Sequence, residues 1–260
     1  MARNWTDEEL YAAMYLYCMT PFGRLHKGNP DIVALAERMD RTPSSLAMKL
    51  VNLASLDRVH QDRGVIGLRG ASRRDREVWE RFANNWTTMA VESTRAFERY
   101  MGVEVLEDPL EAPIASDVVQ PYSVPTGPTS ALRQVSVRIG QRFFRKMLDI
   151  SYEGRCCVSG CDVPSLLVAS HIVRWADDVS LRLNPQNGLL LSAIHDRAFE
   201  GGLFTIDDDM KLDVSPAIRS SKNDFLRQSI GRYHGERLRL PSRFAPRTEF
   251  LRRHRERFAG

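Results

Sequence analysis

The chain has 260 residues, 43% of them hydrophobic and 27% charged, with a formal net charge of +4. That is globular composition with room for two domains, and it excludes wholesale disorder and collagen-like repeats. No apolar run approaches the roughly 18 residues of a membrane span, and the N-terminus reaches Asp7, Glu8 and Glu9 without an apolar signal core, so a cytoplasmic protein is expected.

Thr6-Asp7-Glu8-Glu9 has the spacing of a capping box, and Leu10, Met14 and Tyr17 follow on one helical face. Asn29-Pro30 opens a second helix with Ile32, Leu35, Ala36 and Met39 as its stripe. After a turn at Asp40-Arg41, Thr42-Pro43 opens a third that carries Leu46, Leu50 and Leu53. Two short helices so joined fit a helix-turn-helix or a plain bundle, and spacing does not choose between them. In the first case Arg41, Thr42, Ser44, Ser45 and Lys49 would meet a DNA groove. Arg69, Arg73, Arg74 and Arg76 form a second basic cluster, and further helices are expected over 73–84 and 88–101.

Pro109, Pro113, Pro121, Pro125 and Pro128 defeat helices, and 101–132 holds five carboxylates with no Lys or Arg. An acidic linker over 103–131 is therefore expected, between a helical domain at 1–102 and a second domain at 132–260. The tail is the opposite: 217–260 holds twelve Arg and Lys against four Asp and Glu, which suits a polyanion such as nucleic acid. Cys18, Cys156, Cys157 and Cys161 do not make a disulfide framework. No cysteine follows Cys161, so a four-thiolate zinc site is not available and structural zinc is not expected; small buried hydrophobes are the expected role.

The chemistry is concentrated at 154–207. Ser165 to His171 reads as a strand ending on histidine, followed by a polar loop, an Asn187-Gly188 turn and Leu189-Leu190-Leu191. Ser192 can cap a helix from Ala193 to Glu200, closed by Gly201-Gly202. Singly, each residue has an ordinary explanation, as a strand histidine, a turn asparagine or a helix-end histidine. The ordered set, with Asn187 sixteen residues after His171 and His195 eight further on, is more specific.

Ala169-Ser170-His171-Ile172, Asn184-Pro185-Gln186-Asn187-Gly188-Leu189-Leu190-Leu191 and His195-Asp196-Arg197-Ala198-Phe199 closely resemble the His-Asn-His (HNH) endonucleases, in their restriction-type variant. The resemblance extends to Arg155–Cys161 upstream and to Gly202–Asp207 downstream. It implies an α+β chain whose second domain holds two strands and a helix around one divalent cation, Mg²⁺ or Mn²⁺, and cuts double-stranded DNA. His171 matches the general base, His195 the metal ligand, and Asn187 the middle residue that orients the base or joins the metal shell. Many members carry Asp immediately before the base; here Ser170 stands there, and Asp196, Asp177, Asp178 or water would complete the shell. Arg174 and Arg197 flank the site and are expected to hold phosphate; Trp175 and Phe199 are expected to pack the finger. Arg252 and Arg253, with Arg247, Arg255 and Arg257, would track the backbone from a C-terminal helix.

The expectation is therefore a metal-dependent DNA endonuclease of restriction or defence, in which the N-terminal domain reads DNA. One such site cuts one strand, so a double-strand break calls for two copies, most simply a homodimer. The alternative is a DNA-binding regulator that has kept the finger and lost cleavage.

Overall fold

The computed structural model describes residues 3–62, 71–102 and 128–258. Arg69 and residues 103–127 of the expected linker lie outside them. Residues 128–131 already belong to a helix, which Pro128 opens; proline is tolerated in a first turn because its missing N–H would have no partner there.

The N-terminal helices begin where their caps place them. α1 (Asp7–Cys18) has its capping box: the Thr6 amide donates to Glu9 Oε2 at 2.8 Å, and the Glu9 amide to Thr6 Oγ1 at 3.2 Å. Asn29 and Thr42 cap α2 (Pro30–Arg38) and α3 (Pro43–Ala54). A single turn, α4 (Arg58–Asp62), follows. Ser72 caps α5 (Arg73–Asn84), and Asn85 caps α6 (Trp86–Met101), which starts two residues before its expected position because Asn85 accepts from the Thr88 amide. From Leu10 to Cys18, α1 is buried on nearly every side and packs against α3, α5 and α6.

The C-terminal part starts with α7 (Pro128–Ser151). Strands β1 (Leu167–His171) and β2 (Gly188–Ser192) pair antiparallel, with Leu167 opposite Ser192 and His171 opposite Gly188. α8 (Ala193–Glu200) follows directly, then a second hairpin of β3 (Phe204–Ile206) and β4 (Leu212–Val214). α9 (Pro216–Arg219), α10 (Asp224–Ser229) and α11 (Thr248–Glu256) complete the described chain. α7 lies against β2 at Gly188, where an added Cβ would meet Leu148 at 2.6 Å and Phe144 at 2.8 Å. Only a residue with no side chain allows that approach.

The two parts share one apolar core. Arg243 is fully buried, and its guanidinium donates to the Tyr17 and Thr20 carbonyls at the end of α1. Next to it, Phe244 has a φ of 52°, an uncommon backbone for a bulky residue. Its amide donates to Asp57 at 3.2 Å, and its ring meets Tyr17, Trp79 and Trp86.

Candidate functional site

His171 closes β1 and is only 4% exposed. Its ring stacks on Phe144 of α7 with centroids 4.4 Å apart and meets Trp175 edge-on at 5.5 Å. Nε2 lies 2.8 Å from the Arg182 carbonyl. A carbonyl only accepts, so Nε2 carries the hydrogen and the neutral ring keeps its lone pair on Nδ1. Nδ1 is buried with no hydrogen-bond partner. Burial lowers the pKa to about 4, and the Arg182 charge adds to this against the pull of its carbonyl, so the ring is neutral near pH 7.

Asn187 is fully buried and works as a clamp. Its Oδ1 accepts from the Val173 amide at 2.8 Å, and its Nδ2 donates to the carbonyls of Val173 at 3.0 Å and Leu181 at 3.2 Å. Its own carbonyl accepts from the Ile172 amide at 2.9 Å. These four bonds fix the chain just after His171. They leave the amide group little capacity for a cation.

His195 sits in the first turn of α8, 2% exposed. Its Nδ1 meets Ser192 Oγ at 2.7 Å and Cys156 Sγ at 3.6 Å, while Nε2 meets the Ser229 carbonyl at 2.9 Å. Tyr233 covers the ring edge-on at 5.4 Å. Burial pushes the Cys156 thiol up, but hydrogen bonds from His195, Ser159 and Ser192 outweigh it and bring the pKa to about 6. His171 and His195 share no partner: the first lies at the Gly188 end of the hairpin and the second just beyond its Ser192 end.

The residue of α8 that meets β1 next to His171 is Asp196. Its carboxyl lies against the hydroxyl of Ser170, the neighbour of His171; burial raises its pKa while Ser170 and Arg197 oppose the rise. Ser170 Oγ and Asp196 Oδ1 are both buried without a hydrogen bond of ordinary geometry. A buried carboxylate with an open oxygen is expensive unless something positive meets it. Asp177 is held by Arg174, and Asp178 by Ser180 and Arg253. Among the described residues, no three His, Cys, Asp or Glu side chains are grouped to hold a metal ion.

The expected phosphate contacts are distributed unevenly. Arg197 is exposed on α8, and Arg174 is exposed although paired with Asp177. Lys49 is buried, its ammonium 2.6 Å from Asp75. Arg41 donates to Glu9 and lies over Trp5. The tail helix forms, but Arg252 and Arg255 hold Asp208, Arg253 holds Asp178, and Arg257 lies 3.7 Å from Glu200. The expected packing residues are in place, with Trp175 against His171 and Phe199 fully buried against Phe204 and His254.

Residues 156–207 match the family model described as HNH endonuclease. The C-terminal part therefore contains an HNH domain. No curated protein matches the chain. No helix among the described residues is long and apolar enough to cross a membrane. Three features of the HNH domain were not evident from the sequence: the Arg182 carbonyl that sets the His171 tautomer, the Cys156 contact to His195, and the orphaned Ser170–Asp196 pair.

Proposed function

We propose that the chain is a DNA endonuclease in which His171 Nδ1 is the general base. The observation that carries this reading is an oriented imidazole within the stretch that matches the HNH family: Nε2–H is tied to the Arg182 carbonyl, and Nδ1 is left open. Nδ1 takes a proton from the water that attacks phosphorus, while Asn187 holds the strand end so that the ring cannot swing. In this structure the ring is covered, and phosphate enters by displacing Trp175 from its edge.

As placed, His195 and Asn187 do not fit the metal-ligand role. Both ring nitrogens and the amide already have protein partners. Asp196, with Ser170, fits it better, since a cation would meet the open carboxylate oxygen. A bound Mg²⁺ or Mn²⁺ would supply charge neutralisation at phosphate. His195 then acts as a structural link joining α8 to Ser192, Cys156 and the end of α10.

Arg174 and Arg197 are the phosphate contacts nearest the site. Arg252 and Arg253 reach phosphate only in exchange for Asp208 and Asp178. Lys49 stabilises α3 against α5, so a helix-turn-helix at α2–α3 would present Thr42, Ser44 and Met48, which are exposed. Restriction of foreign or modified DNA, by a homodimer where both strands are cut, is the setting this reading implies.

Incubating supercoiled plasmid, modified and unmodified, with the purified chain and Mg²⁺ or Mn²⁺ tests the proposal. Nicking that stops with chelator supports it. Binding without nicking under every metal condition would instead make the chain a DNA-binding regulator.

A further inference from the structure

A cleft of about 590 Å³ lies between the helical part and the HNH domain. Its buried wall holds Trp86, Phe244 and the Asp57 carboxylate, and Trp79 lines it half-buried. At its exposed rim Arg58 lies 3.9 Å from Asp62, and Arg247 lies 3.0 Å from Glu249. Among the described residues each rim guanidinium is therefore matched by a carboxylate, so these residues give the cleft no net positive charge to select a bare phosphate. Asp57 already accepts from the Val59 and Phe244 amides, so what remains is an aromatic wall with polar groups at its rim, which suits a flat heterocycle.

The cleft also touches the cutting loop. Gln186 lines it and immediately precedes Asn187. Gln186 accepts from Arg247 twice, through its side-chain oxygen at 2.9 Å and its carbonyl at 3.2 Å. An occupant would thus rest on the same short segment that holds His171 in place.

We propose that this cleft binds a nucleobase, stacked on Trp79 with its polar edge toward Gln186 and the rim, and that its occupancy bears on the Asn187 loop. The base belongs either to the DNA substrate, turned out of the helix, or to a free mononucleotide. The inference rests on the reading of the chain as a protein that acts on DNA. Aromatic stacking is the expected main contribution, because every base offers a flat face whatever its sequence.

Two of the four tryptophans line the cleft, so intrinsic fluorescence reports on it. The full chain is titrated with a fully paired duplex, the same duplex carrying one bulged base, and AMP or GMP alone, while plasmid nicking is followed in parallel. Quenching by the bulged duplex, with affinity roughly tenfold above the paired one, assigns the cleft to an extrahelical base. Quenching by the mononucleotide alone assigns it to a free nucleotide. Trp79→Leu should remove either preference while keeping the salt-dependent binding to paired DNA. Ala83→Trp, at an exposed position of α5 lining the cleft, should fill it and do the same even if Trp79→Leu is poorly folded. The inference is overturned if no probe quenches, or if Ala83→Trp keeps the wild-type preference. Because Trp175 at the nuclease site also fluoresces, the decisive readout is the preference that Ala83→Trp removes: nicking without that preference leaves the nuclease reading standing and removes the cleft, and that preference without nicking does the reverse.

Discussion

His171 and His195 are both buried within the HNH domain and both lie against an aromatic ring, yet their nitrogens are used differently. At His171 one nitrogen is fixed by a backbone carbonyl and the other is left open. At His195 both nitrogens are engaged, by Ser192 and Cys156 on one side and by the Ser229 carbonyl on the other. Burial alone therefore does not separate the two; what differs is which lone pairs the fold leaves unmatched, a pattern that His254, outside the matched HNH stretch, shares with His171, its Nε2 on the Phe199 carbonyl and its Nδ1 open. The same criterion sets Asp196, with its open oxygen, apart from Asp177 and Asp178, whose carboxylates are already paired.

The largest effect should come from the open nitrogen. His171→Ala should lower the single-turnover nicking rate by about 10² to 10⁴, with paired-duplex affinity nearly unchanged. A mutant that nicks at the wild-type rate removes His171 from the chemistry.

Metal binding tests the contrast most directly. Asp196→Asn should weaken Mn²⁺ binding by about tenfold or more in a calorimetric titration, since it removes the charge facing the cation. His195→Gln should leave that affinity close to wild type and instead lower the melting temperature, because Ser229 and Ser192 lose their partner. The opposite ranking would return His195 to the metal shell.

Acid should act through the buried rings. Burial holds His171 and His254 near a pKa of about 4, below their ordinary 6.5. The unfolded chain therefore binds protons first as pH falls. Stability from this source is complete above pH 6.5 and declines toward pH 4, by up to about 1.4 kcal/mol per pH unit for each ring. Urea unfolding at several pH values measures the slope, and His171→Ala should remove the His171 share. An unchanged slope in that variant would contradict the burial argument.

The smallest expected effect is that of the clamp. Asn187→Ala leaves the Val173 amide and the Val173 and Leu181 carbonyls unmatched inside the protein, at about 1 to 3 kcal/mol of stability. The nicking rate at saturating DNA should fall as well, because His171 loses its fixed strand end. A loss of stability with full activity would confine Asn187 to folding.

Much of the local structure was legible. The caps at Thr6, Asn29 and Thr42 are short-range patterns, each satisfied within a few residues, so the helix starts follow from neighbours in the chain. The strand ending at His171 and the helix after Ser192 were legible as well, although the Ser192 hydroxyl meets the His195 ring and caps no amide of α8. Charge was read less well: the Arg-rich tail suggested a face open to phosphate, yet Asp208, Asp178 and Glu200 meet it from loops and helices far back in the chain. Lys49 and Asp75 are likewise 26 residues apart, and nothing local links them.

By itself, the sequence determined that an HNH motif lies at 156–207, which residue ends the first strand, and where the short helix begins. Those features depend on residue order and on hydrogen bonds between near neighbours. Only the tertiary structure decided which atoms of the motif remain available. The Arg182 carbonyl, the Ser229 carbonyl and the Ser170 hydroxyl reach their targets through folding, and a side chain's chemistry depends on the partners the fold brings to it. The joining of the two parts through Arg243 is of the same kind, because a buried guanidinium is stable only where carbonyls distant in the sequence converge on it.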